Sequence, residues 1–368
     1  MYNFDALDKR LKKYVADNMV SGLSIVVMKD NQIVYDKNIG YLDVDKKKPV
    51  NKHSLFRIAS LTKVITAVAV LICQEQGLLN IDDYIDKYIP YLDGFYLRDD
   101  NHISEEKYRI TIRELICHSS GFFYEKCPPE HFGEFHNLDQ ACHIYKDFYL
   151  KSIPGDKETY SNQAYDIAAR IVEVVSGLSF YDFLKKHIFV PLGMTETKYF
   201  LEEADLHNLA DLTIYNNGAL TKNDSIPYGF DNYDNGFNGG GAGLVTTTHD
   251  YMKFANALTN GGEGLISKES FKILTTRYQP KGYRSVFGFG VYVRGIEDWE
   301  HLPKGSFGWS GAYGGHYFSI PQEKITVVYL HNSFFFGGAG AEHTLILEDD
   351  IVQTGLIEKI EEGENEEW

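Results

Sequence analysis

The sequence predicts an α+β protein whose antiparallel sheet is assembled from both ends of the chain around an inserted helical region. Three observations predict it: hairpin signals near the N-terminus, hairpin signals near the C-terminus, and helical periodicity between them. Leu23 to Met28 and Gln32 to Asp36 flank Asp30-Asn31, a dipeptide suited to a tight turn. Gly315 to Ile320 and Lys324 to His331 flank Pro321-Gln322-Glu323 in the same way. Between them, Val64, Ala67, Val68, Leu71 and Ile72 make one apolar helical stripe that stops before Gly77. Ala164, Ile167, Ala168, Ile171, Val172 and Val175 make a second, stopped by Gly177. No repeat or low-complexity linker divides the chain. One unit is expected over 1–368, with an α/β lobe near 1–65 and 195–368 and a helical lobe near 66–194.

The opening stretch MYNFDALDKRLKKYV lacks the apolar core of a signal peptide and reads as an amphipathic surface helix. The longest compact apolar run, Val64 to Cys73, falls far short of the roughly 20 residues that span a bilayer. The chain therefore reads as cytoplasmic, unless a leader was removed. Lys and Arg total 36 against 52 Asp and Glu, a net charge of −16. That balance argues against nucleic acid or an anionic membrane as partner, since phosphate binding needs clustered cations. Part of the excess is an acidic tail from Glu358 to Glu367, which reads as a solvated terminus. The four cysteines, Cys73, Cys117, Cys127 and Cys142, show neither C-x-x-C pairing nor zinc spacing, so reduced buried thiols are expected. From Tyr215 to Gly243 the chain is rich in Asn, Asp and Gly and reads as a long loop, a candidate lid. Tyr215, Tyr228, Tyr233 and Tyr313 either pack under loops or wall a cleft; both readings stay open.

Three segments carry chemistry. Ser60-Leu61-Thr62-Lys63 places a hydroxyl and an ammonium on one helical face, at the helix start. The lysine can activate the serine only if burial or nearby positive charge lowers its pKa. S-x-x-K alone is weak: it arises by chance about once in a chain this size. Ser104 to Lys107 is a second match, in a charged stretch that reads as a solvated loop. The alternative for Ser60 is an N-cap with a snorkelling lysine. Tyr160-Ser161-Asn162 precedes the second helix. Its tyrosine could shuttle protons if cations lower its phenol pKa, and Asn162 could contact substrate or orient the lysine. Two further Y-x-N matches begin at Tyr215 and Tyr233, inside the loop. Trp309-Ser310-Gly311-Ala312 lies among glycines that let backbone approach a ligand; a backbone N–H there, with that of Ser60, could make an oxyanion hole. The alternative is a glycine-rich strand and turn with a packed tryptophan.

Taken in order, these segments resemble the class C β-lactamase, D-aminopeptidase and family VIII esterase group, from about Gly22 to about Asn332. Phe56 to Lys63 matches the nucleophile motif. Glu114 to Gly121 is similar to the L-L-x-H-T-S-G segment, Tyr160 to Asn162 to the tyrosine motif, Pro191 to Met194 to a structural stretch. Gly240 to Thr247 is similar to G-G-x-G-L-x-S-T. The resemblance implies a β-lactamase/transpeptidase-like fold with the site between two lobes. It implies cofactor-free and metal-free acyl-enzyme chemistry with Ser60 as nucleophile and Lys63 and Tyr160 sharing proton transfer. The oxyanion donors would be the N–H groups of Ser60 and Ala312. One departure matters: β-lactamases and D,D-peptidases usually carry K-T-G or H-x-G where this chain has Trp309-Ser310-Gly311. An indole offers one N–H and a large apolar face. The site is therefore expected to take a small-molecule ester or amide with a small to medium neutral acyl group. β-Lactam or D-amino-acid amide hydrolysis is the alternative, a non-catalytic sensor a further one. His118 reads as structural and His316 as facing either the site or the strand packing. His249, His331 and His343 show no metal spacing, and the oligomeric state stays open.

Overall fold

The computed structural model describes residues 2–99, 102–123, 136–216, 219–223, 237–278, 285–295, 302–334, 336 and 341–357. In chain order, α1 (Asp5–Ala16) leads into β1 (Gly22–Lys29) and β2 (Gln32–Gly40), and β3 (Phe56–Arg57) precedes α2 (Thr62–Glu75). A hairpin of β4 (Phe95–Arg98) and β5 (Ile103–Tyr108) follows, then α3 (Ile112–Ile116), α4 (Leu138–Tyr145), α5 (Gln163–Ser176), α6 (Phe180–Leu184) and α7 (Val190–Leu192). Next come β6 (Thr213–Asn216), β7 (Ala219–Lys222), β8 (Val245–Thr246), α8 (Thr248–Thr259) and α9 (Lys268–Thr275). The chain returns through β9 (Tyr292–Val293), β10 (Phe307–Ser310), β11 (His316–Ile320), β12 (Ile325–His331), β13 (Ser333–Phe334) and α10 (Glu342–Val352).

The main sheet has the order β2-β1-β12-β11-β10-β9, antiparallel throughout, so both ends of the chain build it. The N-terminal turn forms as its dipeptide predicts: Asp30 and Asn31 both take positive φ, 51° and 62°, the backbone of a primed hairpin turn. Leu23 pairs with His331 and Lys29 with Ile325, which locks the two predicted hairpins together. Alternation along β1 then divides two cores. Ile25 and Val27 face α1 and α10 with Leu7, Leu11, Leu347 and Ile351; Val26 faces the helices on the other side.

α2 departs from its one-sided pattern. Every residue from Thr62 to Cys73 is buried, because this helix runs through the middle of the larger core and packs on α5. The second predicted helix ends as expected, with Gly177 left-handed at φ 70°. Ser104 and Lys107, expected in a loop, lie instead on β5, where Lys107 pairs with Asp93 at the surface. The pairing with β4 reconciles this: Phe95 and Leu97 of β4 supply the apolar contact with the core, while Ile103 to Lys107 of β5 are exposed or half-buried. Cys73, Cys117 and Cys142 are buried free thiols. Tyr215, on β6, meets Phe336 edge-on, and Tyr313 is buried against Phe334. Residues 217–218 and 224–236 of the expected long loop, with Tyr228 and Tyr233, lie outside the described residues, as do Cys127 and the acidic tail. Among the described residues no helix is long and apolar enough to cross a membrane.

Candidate active site

Ser60 sits in the 3-10 turn Ala59–Leu61 that runs directly into α2. It does not cap the helix: Leu61 holds that position and no side chain satisfies the first amides. Ala59 has φ 45°, a left-handed conformation that costs a non-glycine residue about 1–2 kcal/mol and persists only where packing enforces it. Gly311 supplies part of that packing. A Cβ there would lie 2.4 Å from the Ile58 carbonyl oxygen, so only glycine lets the end of β10 press on the nucleophile turn. The close approach predicted for Gly311 is thus to the chain itself, and its N–H donates to the Gly315 carbonyl. The next residue, Ala312, lines the cavity with Ser60.

Lys63 points from the first turn of α2 into a cage of three oxygens. Nζ lies 3.1 Å from Ser60 Oγ, 2.5 Å from Asn162 Oδ1 and 2.6 Å from the Gly241 carbonyl. Asn162 and Gly241 can only accept through those oxygens, so two Nζ protons are committed to them. The third direction faces Ser60, as a proton when the amine is charged and as a lone pair when it is neutral. Burial lowers the Lys63 pKa to about 7, against a smaller opposing pull from the Asp166 carboxylate. The condition set on this lysine by its sequence context is met by burial rather than by a neighbouring cation.

Asn162 therefore orients the lysine. Gly241 reaches Lys63 because Gly240 lies flat on α5, where a Cβ would stand 2.1 Å from the Tyr165 carbonyl oxygen. Asp166, also on α5, accepts the Gly241 N–H at 3.1 Å and the Tyr145 hydroxyl at 2.9 Å. Burial raises its carboxyl pKa to about 6. Sequence reading missed Asp166, since a lone acid within an apolar helical stripe carries no motif.

Tyr160 donates its hydroxyl to Ser60 Oγ at 2.7 Å. Its phenol pKa moves opposite to the expectation: burial pushes it up, and its polar neighbours Ser60 and Trp309 only partly offset that. The phenol keeps its proton near neutrality, and Lys63 is the group of the cluster poised to lose one. Trp309, expected to face substrate, lines the cavity, its ring stacked near Tyr160 with centroids 6.2 Å apart. His118 is buried with φ 54° and stacks on both, its ring 4.6 Å from Tyr160 and 5.5 Å from Trp309. Among the described residues neither of its ring nitrogens has a hydrogen-bond partner, and burial holds its pKa well below the usual histidine range.

A cavity of about 540 Å³ opens from Ser60 and Tyr160 along Phe287, Tyr292, Phe307 and Trp309 and continues past Ser310 to His316 and Glu348. His316 thus faces this cavity. Its partner Glu348, and Arg294 that pairs with Glu348, had no sequence signal: Glu348 sits in an acidic helix and reads as surface.

A family model described as Beta-lactamase matches residues 7–350. The chain belongs to the beta-lactamase family. Among relatives, a penicillin-binding protein of Bacillus subtilis (strain 168) is 26% identical over 327 residues, covering 84% of this chain and 67% of that one. The solved structure of EstCE1, described as a hydrolase with promiscuous acyltransferase activity, superposes with a TM-score of 0.81 at 22% identity. It covers 96% of this chain and 99% of EstCE1. Simvastatin synthase (LovD) from Aspergillus terreus gives 0.80 at 21% identity, with 97% and 98% covered. These likenesses establish the β-lactamase/transpeptidase fold. As a beta-lactamase family member the chain is a serine hydrolase in the broad sense of that group. Within the site, Ser60, Lys63, Tyr160 and Asn162 converge, with Trp309 on the phenol and Gly311-Ala312 against the nucleophile turn.

Proposed function

We propose that this chain is acylated at Ser60 and hydrolyses carboxylic esters of small to medium neutral acyl groups, with amides as slower substrates. The observation that carries the reading is the Lys63 cage: two fixed acceptors aim the third valence of a half-neutral amine at Ser60 Oγ. Neutral Lys63 takes the Ser60 proton as Oγ attacks the carbonyl carbon. As the tetrahedral intermediate collapses, the Tyr160 hydroxyl turns its hydrogen from Oγ to the departing alcohol oxygen and takes up the proton held by Lys63, so amine and phenol both return to their starting states. The N–H groups of Ser60 and Ala312 hold the oxyanion. Water then repeats the sequence on the acyl-enzyme, with Lys63 and Tyr160 in the same roles, and releases the acid.

The substrate preference rests on Trp309 and the walls. Where K-T-G enzymes place a cation, this site places an indole that is engaged with Tyr160, beside Phe287, Tyr292 and Phe307. Arg294, the cation among the described lining residues, is already paired with Glu348, so a substrate carboxylate would compete with that pair. The test is labelling by a fluorophosphonate probe with turnover of a p-nitrophenyl ester series, on wild type and Ser60→Ala. Labelling and turnover of the wild type alone is expected. Equal labelling of both proteins would remove Ser60 as nucleophile. Nitrocefin turnover well above ester turnover would replace esters by β-lactams, and Trp309→Lys is expected to strengthen binding of carboxylate-bearing ligands.

A further inference from the structure

The cavity at Ser60 holds a carboxylate that the acyl-transfer chemistry does not use. Glu158 lines it together with Tyr160, two residues further along the stretch that leads into α5. Thr159, between them, turns the other way. Its N–H donates to the His118 carbonyl at 2.6 Å, and its hydroxyl accepts the Gly121 N–H at 3.0 Å. Glu158 and Tyr160 therefore share one flank of the cavity, on alternate positions of the same segment. The Ser285 hydroxyl donates to the Glu158 carboxylate at 3.5 Å, the outer limit for such a bond. Among the described residues no cation pairs with Glu158.

Charge and wall chemistry decide what this carboxylate can bind. Of the carboxylates and guanidinium in the described lining, Arg294 and Glu348 neutralise each other through hydrogen bonds of 2.8 and 3.0 Å, and Glu158 is left over. Glu158 is half-buried: water reaches it, but burial already disfavours its charge and raises its carboxyl pKa. A cation brought next to it relieves that cost, whereas a second anion adds to it. Phe287 and Trp309 line the same cavity, and the faces of such rings attract cations, substituted ammonium groups in particular. The net charge of −16 draws cations toward the molecule as a whole.

We infer that Glu158 selects esters whose alcohol half carries an ammonium group, the acyl half being neutral. The inference rests on the ester-hydrolase reading of Ser60 and names its leaving group. Tyr160 assigns the cation to the alcohol half. Its hydroxyl protonates the departing alcohol oxygen, and Glu158 stands on the same flank, so a cation a few bonds beyond that oxygen meets the carboxylate. Hydrolysis then releases the carboxylic acid and an amino alcohol. One charge–charge contact at a half-buried carboxylate, together with one aromatic face, is worth about tenfold in kcat/KM.

The test compares butanoylcholine with 3,3-dimethylbutyl butanoate, in which carbon replaces the charged nitrogen at equal shape. The ratio of their kcat/KM values is measured by pH-stat in wild type and in Glu158→Gln, so that the greater intrinsic reactivity of the choline ester cancels. The ratio is expected to be about tenfold higher in wild type, and that excess should shrink at high salt. A second measurement needs no variant. Choline should inhibit wild-type turnover of p-nitrophenyl butanoate at about tenfold lower concentration than 3,3-dimethylbutan-1-ol. The same ratio in both proteins, or equal inhibition by the two alcohols, would overturn the inference. So would a cation preference confined to the acyl half, read from p-nitrophenyl 4-(trimethylammonio)butanoate against p-nitrophenyl 5,5-dimethylhexanoate. Turnover of both alcohol esters without preference removes only the role of Glu158. Absence of any turnover and of Ser60 labelling by the fluorophosphonate removes the ester reading and this inference together.

Discussion

Lys63 is held where its own charge is unwelcome, and that has a measurable thermodynamic signature. Its pKa falls from 10.5 to about 7 on folding, through burial. In the unfolded chain it stays protonated up to about 10.4, so between about pH 7 and 10 the unfolded state binds one proton more than the native state. Native stability therefore rises with pH through this window, by about 1.4 kcal/mol per unit for this one group. That fall corresponds to about 5 kcal/mol of cost, fully present below pH 7 and relieved as the pH approaches the unfolded value. Lys63→Met keeps the length of the side chain and removes the titration. The difference in unfolding free energy, variant minus wild type, is expected to fall by about 3 kcal/mol between pH 8 and pH 10. That interval lies above the ionisation of Asp166 at about 6, so the neighbouring carboxyl stays charged across it. Urea titrations of both proteins at half-unit steps give this difference, and the lost hydrogen bonds to Asn162 and Gly241 cancel because they do not vary with pH. A flat difference over the window would refute a depressed lysine pKa, and with it the activation of Ser60 by this amine. Esterase kcat/KM in the wild type should rise to a plateau with a midpoint near pH 7 for the same reason.

Asp166→Asn removes the buried carboxylate that favours the charged form of Lys63 while leaving an oxygen for the Gly241 N–H. The midpoint of the kcat/KM profile is expected to move to lower pH, and an unchanged or higher midpoint would show that Asp166 does not act on the lysine. Gly311→Ala puts a Cβ 2.4 Å from the Ile58 carbonyl oxygen, so calorimetry should show a loss of about 1–3 kcal/mol and the ester assay a fall in kcat. A variant with wild-type stability would mean that the end of β10 does not press on the nucleophile turn.

Much of the architecture was legible because it is local. Two tight turns, two apolar periodicities and their stops identify the hairpins, α2 and α5, and the order of motifs identifies the family fold. The solvated Ser104–Lys107 match was read as a loop because a short edge strand with polar sides has no periodicity to reveal it. For the site, the sequence determined which groups are present: a serine and a lysine one helical turn apart, a tyrosine at the start of α5, and a tryptophan in place of a cation. Only the tertiary structure decided their states. Burial of α2 on every side makes Lys63 a base near neutrality, and the same burial keeps the Tyr160 phenol protonated, against the shift that neighbouring cations would have caused. Trp309 stacks near that phenol only because the end of β10 lies across the cavity from the segment before α5. Ser310, His316, Glu348 and Arg294, far apart in the chain, are linked by hydrogen bonds through α10 lying against the sheet. Motifs specify which atoms are available; desolvation and hydrogen-bond direction, which depend on everything packed around them, specify what those atoms can do.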